Sequence, residues 1–230
     1  MTVAAVIPAR GGSKGLIRKN TRPFCGVPLV SWSIRQAREA RGVDSVWVSS
    51  DDDEILAIAE REGAQAIRRP PELAADESSS ESAWLHALDH IETRGERVEL
   101  MLAMQPTSPI RESSDLERAV AKVRELELDS LLSCCEIEDF LMWRIGAGGQ
   151  PVGVNYDYMV RTRRQDLDTR YLENGSFWIF RPSVLRSLGN RLGGKIGLHV
   201  MELHKMFQID TLEDLRLCEV IMRGYGLDAR

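Results

Sequence analysis

Apolar residues along this chain fall into short runs separated by amphipathic stretches, and that alternation predicts its elements. Val3 to Pro8 is an uninterrupted apolar run, expected as a buried strand. Pro28 to about Arg41 has helical spacing, with Pro28 suited to the first turn. Ser45 to Ser49 reads as a strand, and Asp52 or Asp53 can cap a helix running to Glu62. Gln65 to Arg68 is a short strand, Ser79 to about Glu92 a helix, and Leu100 to Met104 a strand. Ser113 or Ser114 begins a helix to about Glu127, and Ser130 to Cys134 is a further strand. This order predicts an α/β fold, a mostly parallel sheet with helices on both faces. Ligands of such sheets sit beyond the carboxyl ends of the strands.

The pattern changes after about residue 138. Gly146-Ala147-Gly148-Gly149 marks a turn, expected in a hairpin. The polar, aromatic and basic stretch that follows, through Arg163-Arg164-Gln165, does not read as a core helix. It suits a lid, an arm or a dimerisation insert at about 138–172. The core resumes with a strand at Gly175 to Phe180 and closes with a helix from about Leu212 to Arg223. The cationic, Gly-rich run Asn190 to Lys195 either faces a partner subunit or joins two elements. Residues 1–230 are expected to form one domain.

Composition narrows the class. With 230 residues, 43% hydrophobic and 28% charged, the chain is an ordinary globular one. Its net charge of −5 argues against broad nucleic-acid affinity. No apolar run approaches the roughly 18 residues that span a membrane. The first residues read as a strand rather than a leader, so a cytoplasmic location is expected. Cys25, Cys134, Cys135 and Cys218 form no C-x-x-C pair and read as small buried hydrophobes in a reducing compartment. His86 and His90 share one helical face, but no third metal ligand accompanies them.

The chemistry is concentrated after the first strand, in Arg10-Gly11-Gly12-Ser13-Lys14-Gly15 and on to Arg18-Lys19-Asn20. Glycines permit tight bends and close approach. Backbone N–H groups and four cations there can cradle an anion, and a nucleotide polyphosphate suits it. Lys14 is followed by Gly15 rather than Ser or Thr, so this is not a Walker A loop. No G-x-G-x-x-G is present at the turn either. Gln105-Pro106-Thr107-Ser108-Pro109 follows another strand, so two chemical loops map to the same rim.

In sequence order, six blocks resemble the CMP-sialic acid synthetases, the acylneuraminate cytidylyltransferases. They are the Arg10–Asn20 loop, Ser49-Ser50-Asp51-Asp52, the run from Arg69 to Asp76, the run from Leu102 to Arg111, Glu173-Asn174-Gly175-Ser176, and Asp210-Thr211 with Asp214. The resemblance implies a Rossmann-like nucleotidyltransferase fold of the glycosyltransferase-A type, with a small dimerisation insert and a homodimer. It also implies CMP transfer from CTP to an acidic 2-keto sugar, dependent on Mg2+ or Mn2+. The KDO synthetases, which share the fold, carry an acid in the loop where this chain has Gln105-Pro106-Thr107-Ser108, which favours a nine-carbon acceptor. KDO or a phosphonate as acceptor, and a nucleotide-binding protein without catalysis, are the alternatives.

The same resemblance assigns Arg10, Lys14 and Lys19 to the triphosphate and places Gly12, Ser13, Asn20, Arg69 and Ser80 around the nucleotide. Arg69 could instead pair with Glu72 or Asp76, Ser80 could simply start a helix, and Arg18 reads as a solvated side chain. Gln105, Arg164, Gln165, Tyr171, Asn174 and Phe177 fall to the sugar, with Arg163 and Arg164 interchangeable by one register and the two aromatics equally suited to the core. Asp210 is the metal-ligand candidate. The family's Asp-Ile-Asp reads Gln208-Ile209-Asp210 here, and strand alternation would turn Gln208 and Asp210 to one side. Asp214 reads as a helix-start charge. A His-Pro pair of the family is replaced within Asp139-Phe140-Leu141-Met142-Trp143, which leaves deaminated, legionaminic or pseudaminic relatives of the acceptor open.

Overall fold

The computed structural model describes residues 2–138, 140–160, 163, 166 and 168–229. A seven-stranded sheet carries the fold, in the order β11-β7-β10-β6-β1-β4-β5. Its strands are β1 (Val3–Pro8), β4 (Ser45–Ser50), β5 (Gln65–Arg68), β6 (Leu100–Met104), β7 (Ser130–Ile137), β10 (Arg170–Phe180) and β11 (Ile196–Met201). The short strands β2 (Pro23–Phe24) and β3 (Val27–Pro28) pair with each other, as do β8 (Trp143–Ile145) and β9 (Pro151–Gly153). All ladders of the main sheet are parallel except those of β10, which runs antiparallel to both β6 and β7.

The helices are α1 (Leu29–Glu39), α2 (Asp53–Arg61), α3 (Ser80–Thr93), α4 (Ser113–Glu125), α5 (Pro182–Leu188) and α6 (Leu212–Gly224). Side chains alternate across a strand, so each strand feeds two cores. Val3, Ala5 and Ile7 join α1, α2 and α4 on one face. Ala4 and Val6 join Trp84, Leu88 and Ile91 of α3 on the other. Both faces are covered, which is why the central strands read as continuous apolar runs. A third cluster packs Leu29, Trp32, Leu215 and Met222 around Leu16 and Ile209. It thereby ties the loop after β1 to the segment entering α6.

The expected elements recur within a residue or two up to the start of β7, which runs on to Ile137 rather than ending at Cys134. Asp52 caps α2, its carboxylate accepting from Glu54 N and Ile55 N. The hairpin at 146–149 forms between β8 and β9. Three differences lie further on. β10 starts at Arg170 rather than Gly175, because its first half pairs with β7 before a bulge at Gly175, whose φ is +65°. α5 and β11 were not foreseen; both are short, and much of β11 is only partly buried at the sheet edge. Residues 207–209 form no ladder strand.

Candidate functional site

The carboxyl ends of β1, β5 and β6 open onto one cleft of about 370 Å³, within the size range of ligand pockets. Arg10, Ser13, Lys14, Lys19, Asn20, Arg69, Ser80, Gln105 and Asp210 all line it. Residues far apart in sequence therefore meet where the sheet order reverses around β1.

The loop after β1 is braced from behind. Gly11 N donates to Asp51 Oδ1 at 3.0 Å, and Asn20 Nδ2 donates to the Arg10 carbonyl at 2.9 Å. A Cβ on Gly11 would lie 2.6 Å from Asp52 Oδ2, and one on Gly15 would lie 2.5 Å from the Asp210 carbonyl oxygen. Neither glycine has positive φ, so close approach is what requires them. Gly12 is exposed and does not line the cleft. Arg18 is not merely solvated, since it bonds Glu54 of α2 and turns away from the cleft.

Four cations and two carboxylates face the cleft. Lys19 Nζ donates to Asp210 Oδ1 at 2.8 Å and to the Ile209 carbonyl at 2.9 Å. Asp76 meets Arg10 Nη1 at 2.9 Å and Lys14 Nζ at 2.8 Å. The Lys14 hydrogen bond, helped by both cationic charges, holds the Asp76 carboxyl below its ordinary range. Arg69 is 5% exposed and, among the described residues, no ion pair is found for it with Glu72 or Asp76. Its Nε has no hydrogen-bond partner among the described residues. Burial pushes its pKa down, and the Asp51 charge opposes that push. Arg69 also lines the cleft, and a guanidinium there suits a polar ligand oxygen. α3 directs its N-terminus to the same wall, through Ser79 and Ser80. That end carries partial positive charge.

The opposite rim is built by Arg111, which sequence reasoning gave no role. It is fully buried, and burial drives its pKa down to about 9. Its guanidinium donates to the carbonyls of Gln105 and Ser176 and to the Gln36 Oε1 of α1. Ser108 Oγ donates to the Gly175 carbonyl, and Ile209 N donates to the Thr107 carbonyl at 2.7 Å. The Gln105 loop, the β10 bulge and the Asp210 segment thus form one connected edge.

The structure does not bring every sugar candidate to the cleft. Asn174 is buried; its Oδ1 accepts from Ser133 Oγ and Ser176 N, and its Nδ2 donates to the Lys205 carbonyl. Phe177 is fully buried against His199. Their places on β10 are set by core packing. Tyr171 is exposed on the far half of β10. Gln208 lies against Gly175, where a Cβ would sit 2.6 Å from its Nε2, and it does not line the cleft with Asp210. Arg164 and Gln165 lie outside the described residues. Asp214 caps α6 with Thr211, as its position suggested. His90 packs edge-on to Trp47. Asp76, Thr107 and Ser79 were missed as lining residues; Asp76 stood in a matched block, but its neighbours in sequence do not reveal that it meets Arg10.

Basic loop, switch-point cleft and buried arginine sit in an α/β fold of nucleotidyltransferase, Rossmann-like architecture. The chain belongs to the cytidylyltransferase family, whose model matches residues 4–173. It is 37% identical to an N-acylneuraminate cytidylyltransferase of Oncorhynchus mykiss, over 98% of this chain and 52% of that protein. It is 27% identical to a pseudaminic acid cytidylyltransferase of Campylobacter jejuni subsp. jejuni serotype O:23/36, over 95% of each. The chain spans about half the length of the first curated relatives it matches. Among solved structures, a CMP:2-keto-3-deoxy-manno-octonic acid synthetase complexed with CTP superposes with a TM-score of 0.73 at 17% identity, over 98% of this chain and 100% of that one. That likeness speaks to the fold.

Proposed function

We propose that this protein transfers CMP from CTP to the anomeric hydroxyl of a nine-carbon 2-keto sugar acid, with release of pyrophosphate. The observation that carries this reading is the convergence of Arg10, Lys14, Lys19 and the buried Arg69 on one cleft. Phosphoryl-type transfer depends mainly on positioning and on neutralising charge. Arg10 offers a planar fork to two phosphate oxygens, while Lys14 and Lys19 act as point charges. Arg69 and the α3 N-terminus receive the nucleoside side, and Gln105 meets the sugar with an amide that donates and accepts. The names of the curated relatives support the acceptor class. The name of the pseudaminic acid relative supports a modified nine-carbon acid as a second reading.

A divalent cation, Mg2+ or Mn2+, fits Asp210, whose carboxylate lines the cleft. Mg2+ commonly takes one or two carboxylates together with substrate phosphates. Such an ion would offset charge on the phosphate oxygens. Gln208 is turned to Gly175 and is not part of that set.

The protein acts as a homodimer in the cytoplasm. The β8–β9 hairpin supports the first statement: Met142, Trp143 and Ile145 on it are exposed apolar residues, an arrangement that favours a partner surface. Four free cysteines, three of them buried, support the second. In addition, no described helix is long and apolar enough to cross a membrane.

Pyrophosphate release, measured with CTP, magnesium and a panel of 2-keto sugar acids, tests the reading. Release with a nine-carbon acid is expected. Release with KDO alone would move the acceptor class, and CTP binding without release from any acid would leave a binding protein.

A further inference from the structure

Asp76 is the cleft residue that CTP binding does not explain. A carboxylate beside the phosphate loop has the same sign as the ligand and should repel it. Yet its two oxygens bridge Arg10 Nη1 and Lys14 Nζ, the cations that the proposed function gives to the phosphates.

The segment presenting it is ordered by its own bonds. A 3-10 turn at Pro71–Leu73 precedes it. Ser78 Oγ donates to the Glu72 carbonyl at 2.8 Å, and Ser78 N donates to the Ala75 carbonyl at 3.1 Å. Ser79 then caps α3 by accepting from Ser82 N. Leu73, Ala74, Ala75 and Ser78 all face the cleft with Asp76, so the carboxylate is delivered by a built wall.

We propose that Asp76 is an exchangeable counter-ion for the phosphate loop: it aims Arg10 and Lys14 into the cleft and competes with polyphosphate oxygens for them. A phosphate that takes both cations has to displace the carboxylate or sit against it. Affinity shared equally by substrate and transition state does not raise turnover. A competitor that acts on any polyphosphate in the loop weakens pyrophosphate binding as well as CTP binding, and so speeds product departure. This inference rests on the CTP reading above. Asp76 is a positioning residue in it, and no bond to substrate is assigned to it.

The test is calorimetric titration of CTP and of inorganic pyrophosphate into the whole chain, without divalent metal and then with magnesium. Wild type is compared with Asp76→Asn and with Asp76→Ser, each checked for a cooperative thermal melt. Two exposed ion pairs predict about three- to tenfold tighter binding of both ligands by the variants. In turnover, the KM for CTP should fall, inhibition by pyrophosphate should strengthen and kcat should drop. Unchanged affinity, or weaker binding both with and without magnesium, would overturn the proposal. Weaker binding confined to the magnesium titration would overturn it too, and would make Asp76 a metal ligand instead. A wild type that binds neither CTP nor pyrophosphate would take down the functional reading and this inference together.

Discussion

At the residue scale, the loop after β1 depends on contacts that only a missing side chain allows. An added Cβ at Gly15 would press on the Asp210 backbone carbonyl at 2.5 Å, and backbone yields less readily than a flexible side chain. Gly15→Ala is expected to lower CTP turnover at least about tenfold and stability by about 1–3 kcal/mol. Turnover assays with urea melts will show this, and full activity would mean the two segments move apart freely. Arg69 makes the opposite case. Its buried Nε lacks a hydrogen-bond partner among the described residues, so replacing it removes desolvated charge rather than a network. Arg69→Met should raise the KM for CTP by about ten- to a hundredfold, a loss comparable to a charge-assisted bond. Its melting temperature should be unchanged or higher. Asp210→Ala should abolish turnover while leaving the thermal melt intact; ordinary activity at ordinary magnesium would sink its metal role. The cations were legible in sequence because Arg and Lys crowd one glycine-rich loop. Asp76 and Arg111 were not, because their partners lie far along the chain.

At the element scale, the parallel half of the sheet was readable. β1, β4, β5 and β6 are runs whose alternate residues enter two buried cores, so hydrophobicity alone marks them. β11 sits at the edge with several partly exposed positions, and that weakens the same signal. The 190–195 run, open to two readings in sequence, closes onto α3. Arg191 lies over the rings of Trp84 and Trp178, at 4.8 and 4.5 Å from their centroids, and donates to Glu81 Oε1 at 2.7 Å. It therefore secures the helix whose N-terminus lines the cleft. Arg191→Ala should destabilise the fold by about 1–2 kcal/mol through lost cation–π and ion-pair contacts. Chemical denaturation will measure it, and a neutral result would make the loop a mere connection.

At the scale of the whole molecule, two consequences follow from charge and surface. His199 of β11 is 6% exposed, packs on Phe177, and is surrounded by Asp115, Arg118 and Lys122 of α4 and by Lys205. Burial drives its pKa down to about 4 from an ordinary 6.5, with Asp115 opposing and the cations adding. The unfolded chain therefore binds more protons between those values. This contribution to stability is complete above about pH 6.5 and declines as pH falls toward 4, by at most about 1.4 kcal/mol per pH unit. Denaturation midpoints across that window should flatten in His199→Gln. The second consequence concerns the hairpin: if it forms the proposed dimer surface, Ile145→Asp, at a residue 68% exposed, is expected to give a sedimenting monomer where the wild type sediments as a dimer, without unfolding.

What the sequence determined by itself is the α/β layering and the chemistry of the phosphate loop. Period-two burial and a local crowd of cations are both written within a few residues. Only the tertiary structure decided the rest. It moved Asn174 and Phe177 into the core, since a bulge and an antiparallel strand set which faces of β10 are buried. It turned Gln208 from the cleft toward Gly175, because no ladder holds residues 207–209 in strand alternation. It also set Asp76 between Arg10 and Lys14. Contacts between segments far apart along the chain depend on how the sheet and helices pack, and a linear pattern carries no record of that geometry.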